Sequence, residues 1–460
     1  MRHKNPVTLD NKQPNQIKVT NQASTIPTPH SRPAKRKIHQ VRQETTRMIA
    51  QYMMILTLLL GGSGITGGMT TTAYGAAATG ASKTQAYEHM VFLGDSLTVG
   101  YEPGIAATDY DGFAPRLEEQ ELFRGHAQAD NAGILGLTST GLKHYMDAIT
   151  AGRSVSTADI QSTLPGATRT LDGAATRKEI QAADLITITI GGNDFLNALG
   201  SLTALPQDLS QINLQPVLNT YRTNLGSILD QLTTLNPNAV IVIADQYQPV
   251  PLLAGATLYH DLNETAAEFS SIIDDTVSTY TAKGNDIRVA HVSPSFQGKE
   301  LAMTHIAAGD IHPNATGYQA MAVAFSMAIW GETGYMTPSS AVNGTDQTIL
   351  YTNGKLLQSQ SKPIIRSGRT YVALRDVTTA LGAKVSWSST TKQATVTNGS
   401  SKVTVPLNSK ILKVNNQSVT TDAAAFMQQN KVYVPIAVLA DQFAYDVHYV
   451  NRWKAVFIRQ

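Results

Sequence analysis

Between His89 and Trp330 short apolar runs alternate with longer stretches whose apolar positions recur every three or four residues. The runs are MVFLG (90–94), AQADNA (127–132), LITITIGG (185–192), AVIVIAD (239–245) and IRVAHVS (287–293). Four of these five are rich in Val and Ile with little polar alternation, as strands covered on both faces are. The intervening stretches, such as LNTYRTNLGSILDQLTTL (218–235) and DLNETAAEFSSIIDDTVSTYTAKG (261–284), carry the period of helices. Strand and helix in alternation predict an α/β domain over 88–330, a parallel sheet between two helical layers.

After Trp330 the pattern gives way to GETGYMTPSSAVNGTDQ (331–347), whose Gly, Ser, Thr and Pro content reads as a linker. From 348 to 460 the chain matches itself at an offset of 62 residues: ILYTNGKLL at 349 with ILKVNNQSV at 411, RTYVALRDV at 369 with KVYVPIAVL at 431, and Val385, Trp387 and Lys392 with Val447, Tyr449 and Lys454. One offset held over about 50 residues predicts a small α+β domain of two repeats. Each repeat has strands around a helix such as ALRDVTTALG, with Gly382 as its stop.

Charge changes the picture only at the N-terminus. Of the 460 residues, 1–47 hold ten Lys or Arg against Asp10 and Glu44, a local +8 within a net +2, so the remainder carries about −6 and gives no footing for nucleic acid. No charged residue occurs from Met48 through Ser82. A basic segment (1–47) before an apolar one (48–82) predicts export, either through a signal peptide cleaved near TAYGAAATGA or through a signal anchor, the membrane then being touched only there. The folded part is expected outside a bacterial cell, secreted or at its surface. Cys is absent, which excludes disulfides, thiol nucleophiles and thiolate metal sites.

The candidate chemistry starts at VFLGDSLTVG, where Gly94 bends the chain at a strand end and Ser96 follows. In open α/β sheets that edge binds ligands, so Ser96 is either a nucleophile or, with Asp95, only a helix cap. Three later stretches open at the same edge: NAGILGLTS (131–139), GGNDF (191–195) and GDIHPNATGY (309–318). Together they offer a hydroxyl, an amide, an imidazole and free backbone N–H groups, the parts ester cleavage requires.

These four blocks, in this order, resemble the SGNH or GDSL hydrolase family, over roughly residues 88–330. The resemblance implies a flavodoxin-like three-layer fold and a serine ester hydrolase. Ser96 would be the nucleophile and give one oxyanion N–H, Gly136 a second, the Asn193 amide a third, and His312 would be the general base. Gly133 fits the second role less well than Gly136. The family places an Asp three residues before the His. Here Gly309 stands there and Asp310 comes one later, so either Asp310 or a backbone carbonyl orients the imidazole. Asp194 is expected to bond backbone, and His305 with His312 lacks the spacing of a metal pair. Tyr247, Leu252 and Leu253, in the loop after the fourth strand, are expected either to line an acyl pocket or to form ordinary surface. NGK (353–355), RTYVALRDV and LGAKVSW (381–387) resemble the copper amine oxidase N-terminal-like, or stalk, domains of secreted bacterial enzymes. That implies wall association, spacing or mere stabilisation, and no copper.

The implied function is cleavage of carboxylic esters, of acyl lipids or acylated carbohydrates, through an acyl-enzyme on Ser96 and without a metal or organic cofactor. Two rival readings are a polysaccharide or cell-wall O-deacetylase using the same site and a silent surface adhesin.

Overall fold

The computed structural model describes residues 84–200, 205–332, 334–338 and 348–460. The basic segment 1–47 and the export segment 48–82 lie outside the described residues. Each of the five apolar runs contributes a strand: β1 (His89–Gly94), β2 (Gln128–Gly133), β3 (Leu185–Thr189), β4 (Val240–Ala244) and β5 (Ile287–Ala290). They form one parallel sheet in the order β2-β1-β3-β4-β5. The polar run, β2, is one of the two edge strands and is half-exposed, whereas β3 and β4 are buried throughout.

Among the described residues the helices around the sheet include α1 (Ser96–Val99), α2 (Phe113–Glu121), α3 (Ser139–Thr150), α4 (Gly173–Ala182), α5 (Gly192–Leu199), α6 (Gln215–Leu235), α7 (Ala256–Thr281) and α8 (Ala315–Trp330). Side chains alternate across a strand, so β1 sends Val91 and Leu93 to one face and Met90 and Phe92 to the other. Val91, Leu93, Ile186 and Ile241 pack with Leu142 of α3, Leu225 of α6 and Phe269 of α7. Met90, Phe92 and Val242 pack with Phe113 of α2 and Phe325 of α8. Both faces are thus apolar, which is why the strands show no alternation. The connection direction reverses between β1 and β3, and the crevice this leaves at their carboxyl ends is where such sheets bind ligands. Ser96 follows β1, and Asn193 follows β3.

Residues 348–460 form a β-rich α+β region whose main core includes Val372, Val396, Val434 and Val456, with smaller apolar clusters beside it. Its elements recur 62 residues apart: Ile349–Thr352 and Ile411–Val414, Arg369–Ala373 and Lys431–Pro435, helices Leu374–Ala380 and Ile436–Phe443, and Lys384–Ser388 and Asp446–Val450. The two halves share their sheets. Arg369–Ala373 pairs antiparallel with Lys431–Pro435, and Ala455–Arg459 pairs parallel with Ile349–Thr352. Part of the expected linker is packed: Met336 exchanges hydrogen bonds with the Gln120 amide at 2.8 and 2.6 Å. Residues 333 and 339–347 of it lie outside the described residues. Among the described residues no helix is long and apolar enough to cross a membrane.

Candidate active site

The turn that presents Ser96 depends on Gly94. Its φ is +140°, and a Cβ there would collide with the Thr189 carbonyl oxygen at the end of β3. Glycine alone lets β1 stay paired with β3 to its last residue, Gly94 opposite Thr189, while the chain turns away. Asp95 then caps α1, its carboxylate accepting from the Leu97 N–H at 3.0 Å and the Thr189 hydroxyl at 2.9 Å. Burial raises the Asp95 pKa to about 7. Asp95 is therefore the cap and leaves Ser96 free, with a backbone N–H at the first helical position that has no intrahelical acceptor.

Ser96 Oγ lies 2.8 Å from His312 Nε2, and His312 Nδ1 lies 2.7 Å from Asp310 Oδ1. The same carboxylate oxygen accepts the His312 backbone N–H at 2.8 Å, closing a turn two residues long. Of the two ways to orient the imidazole, the hydrogen bond runs to the Asp310 carboxylate. Gly309 has a φ of +82° and ends the short helical turn Ile306–Ala308. The residue three before the histidine thus serves the backbone, and the turn delivers the acid one position later. Burial pulls the His312 pKa below the usual imidazole value, more than its bond to Asp310 raises it. The Tyr101 ring packs edge-on to the imidazole, centroids 4.6 Å apart.

Asn193 stands in the first turn of α5. Gly191 caps that helix at φ +119°, where a Cβ would come within 2.8 Å of the Tyr221 ring. One Asn193 amide hydrogen goes to the Leu137 carbonyl at 3.0 Å, which leaves the second available. That bond sets the amide beside the turn Ile134–Leu137, whose third residue is Gly136 at φ +75°, as a type II turn requires. The Gly136 carbonyl is held by Gln161 Nε2 at 2.9 Å, and Pro165 covers its Cα. The 155–180 stretch, for which the sequence carries no motif, therefore packs over this turn. Gly133 does something else: a Cβ there would meet Val99 N at 2.7 Å, so its bareness lets β2 approach α1.

The remaining polar candidates are structural. The Asp194 carboxylate takes the Ser139 N–H and hydroxyl at 2.8 and 2.6 Å, tying α5 to the start of α3, and burial raises its pKa. His305 Nε2 pairs with Glu102 at 3.0 Å, while its N–H donates to the His312 carbonyl at 3.0 Å. Neither His305 nor His312 belongs to a metal-spaced cluster among the described residues.

Ser96, Asn193 and His312 open onto a cavity of about 750 Å³, its mouth included. Its walls are Phe195, Leu196 and Leu199 of α5, Val250, and Leu262, Ala266 and Phe269 of α7. Among the polar side chains of the lining, Gln246 Nε2 bonds the Ile190 carbonyl, Gln248 Oε1 accepts the Val250 N–H, and the Thr265 hydroxyl bonds the Asp261 carbonyl. Of the two readings of the loop after the fourth strand, Tyr247 takes the first and lines the cavity, while Leu252 and Leu253 take the second and are ordinary surface. They stand 58% and 80% exposed on a single 3-10 turn before α7 and do not line it. The loop after β4 turns outward at Pro251, so helix α7 forms the wall instead. The sequence did not single out Tyr101, Gln161 or the α5 and α7 walls. For the walls a signal existed: Leu262, Ala266 and Phe269 recur at helical spacing.

Residues 92–320 match the GDSL-like Lipase/Acylhydrolase family. This part of the chain belongs to the GDSL family. The protein is accordingly a GDSL-type carboxylic ester hydrolase. Residues 351–458 match the Copper amine oxidase N-terminal domain. That region has one imidazole, His448, which pairs with Asp446 at 2.8 Å, and no thiol, so its donors do not fit a copper centre. The chain is 23% identical over 217 residues to the uncharacterized protein YpmR of Bacillus subtilis, covering 45% of this chain and 78% of that one. Among solved structures it is similar to a lipase from a goat rumen metagenome (18% identity, 53% of this chain and 98% of that one, TM-score 0.39). It is also similar to an acetyl xylan esterase from Geobacillus stearothermophilus (17% identity, 56% and 100%, TM-score 0.36).

Proposed function

We propose that this GDSL hydrolase is an exported serine esterase acting on esters with an apolar acyl group longer than acetyl. The observation that carries the mechanism is the hydrogen-bonded series Ser96 Oγ, His312 Nε2, His312 Nδ1 and Asp310. Ser96 Oγ attacks the acyl carbonyl as His312 takes its proton, with Asp310 holding the imidazole in the tautomer that leaves Nε2 free. Negative charge on the former carbonyl oxygen is met by the N–H groups of Ser96 and Gly136 and the second Asn193 amide hydrogen. His312 returns the proton to the departing alcohol. A water deprotonated by the same imidazole then releases the acid and restores Ser96. None of these steps calls on a cofactor. Export rests on the uncharged segment 48–82 behind its basic leader.

The acyl preference rests on the cavity. Leu262, Ala266 and Phe269 lie within eight consecutive residues of α7, about 10 Å of helix, so the apolar wall is much longer than an acetyl group. That wall is predominantly apolar, so it offers an acyl chain burial and gives a sugar few polar partners. Each added methylene is worth roughly 0.8 kcal/mol, about fourfold in kcat/KM, until the cavity is full. The test is p-nitrophenyl ester hydrolysis from acetate to palmitate, with Ala266→Phe alongside. The rise with chain length should flatten in that variant while acetate turnover is kept. A wild-type optimum at acetate would reject the acyl preference and favour the deacetylase.

A further inference from the structure

The C-terminal region is fastened to the loop that carries Tyr101, and the fastening leads to the catalytic imidazole. Arg452 donates to both oxygens of Asp111, at 2.8 and 2.6 Å, and pairs with Glu119 of α2 at 2.6 Å. Asp111 is held from its other side by Arg116, at 2.9 Å. Its neighbour Tyr110 lies edge-on to Tyr101, centroids 5.7 Å apart, and Tyr101 lies edge-on to His312 at 4.6 Å. The loop is closed at its base, because Gly100 and Gly112 approach so closely that a Cβ on Gly112 would strike Gly100. Tyr318 of α8 bonds the Tyr101 carbonyl at 2.6 Å.

A second set of contacts holds the same two regions together. Phe123, just beyond α2, packs against Tyr351, Trp453 and Phe457, with centroids 5.3, 5.6 and 4.9 Å away, and Arg459 bonds the Leu122 carbonyl at 3.2 Å. Arg–carboxylate pairs of two-pronged geometry fix orientation as well as distance. A flexible spacer would have no use for such a pair at the root of a loop that ends on the catalytic ring.

We infer that Arg452 is a positioning residue for His312: the C-terminal region acts as a buttress that, through Asp111, Tyr110 and Tyr101, holds the imidazole on Ser96. The inference rests on the serine reading above. Misplacement of a catalytic group by a fraction of an ångström lowers turnover far more than ground-state binding.

The test is the steady-state kinetics of the full chain with a p-nitrophenyl ester, comparing Arg452→Ala, Arg452→Lys, Asp111→Asn and Ser96→Ala. Arg452→Ala should lower kcat about tenfold with KM changed less than twofold. Arg452→Lys and Asp111→Asn, which keep part of the pairing, should fall between it and wild type. The acid limb of kcat/KM should also move in Arg452→Ala, because the imidazole loses packing amid the groups that face it, Ser96, Asp310, Tyr101 and His305. A merely structural contact would shift the melting temperature and leave this limb in place. Wild-type kcat in a folded Arg452→Ala protein, with Ser96→Ala inactive, would overturn the buttress alone. If Arg452→Ala did not fold, wild-type kcat in Asp111→Asn would overturn it equally. Activity surviving Ser96→Ala would remove the serine reading and the inference with it.

Discussion

The hydrolase region and the C-terminal region turn their chains in opposite ways. Among the described residues every position of positive φ before residue 350 is a glycine, whereas the C-terminal region holds ten that are not, among them Asn353, Ser367, Lys392, Asn415 and Lys454. At Gly94 and Gly191 glycine is demanded twice over, by φ and by a neighbour standing where a Cβ would go. In the C-terminal region side chains occupy hairpin tips, where asparagine meets the conformational demand. At Gly94 backbone packs against backbone, and at Gly191 it packs against the Tyr221 ring, beside Ser96 and Asn193. Where the sheets only need reversing, side chains are let in.

The largest effect that tests this contrast belongs to Gly94→Ala. Crowding the Thr189 carbonyl while straining φ should cost about 3 kcal/mol or more and abolish activity. A folded, active Gly94→Ala enzyme, seen by thermal melting and ester turnover, would break the contrast. Next comes Asp310→Asn, which keeps the turn but not the charge that favours the productive imidazole tautomer. A loss in kcat on the order of 10²- to 10⁴-fold is expected, with little change in melting temperature.

The pH profile gives a third test. In the proposed mechanism His312 accepts a proton and so acts in its neutral form, and burial holds its pKa below the ordinary value of 6.5. The acid limb of kcat/KM should therefore have its midpoint below pH 6.5, and a midpoint above it would contradict the buried geometry. Asp95 bears on stability with the other sign. Its folded pKa of about 7 lies above its unfolded value of 3.8, so the native state binds its proton more tightly. That contribution is full below about pH 4 and is lost as pH rises through 7. Melting temperatures at pH 5 and 8 should differ less in Asp95→Asn than in wild type. The smallest effect is expected at Asn415→Ala, about 1 kcal/mol or less, with kcat unchanged.

The strands were legible because both faces of the sheet are covered and the apolar runs are continuous; that the polar run, β2, lies at an edge of the sheet was not read from the sequence. The residues Ser96, Gly136, Asn193, Asp310 and His312 were legible as blocks following strands. The geometry brings Ser96, His312 and Asp310 into one series and sets Asn193 beside the Gly136 turn. Two things lay beyond local reading. The cavity is walled by α5 and α7, whose apolar residues have the same spacing as core residues, and the exposed Leu252–Leu253 pair lies nearer in sequence to the fourth strand. The contact of Arg452 with Asp111 joins residues 341 positions apart, and no periodicity marks such a pair.

Everything proposed for the site turns on attack of Ser96 on the ester with His312 as its base. The most direct measurement is the rate of p-nitrophenyl ester hydrolysis by Ser96→Ala beside wild type, with mass spectrometry of wild type stopped early in turnover. A loss of at least about 10³-fold is expected in the variant. An acyl group is also expected on the wild-type peptide that contains Ser96. Turnover in the variant near the wild-type rate, or an acyl group on another residue, would contradict attack by Ser96.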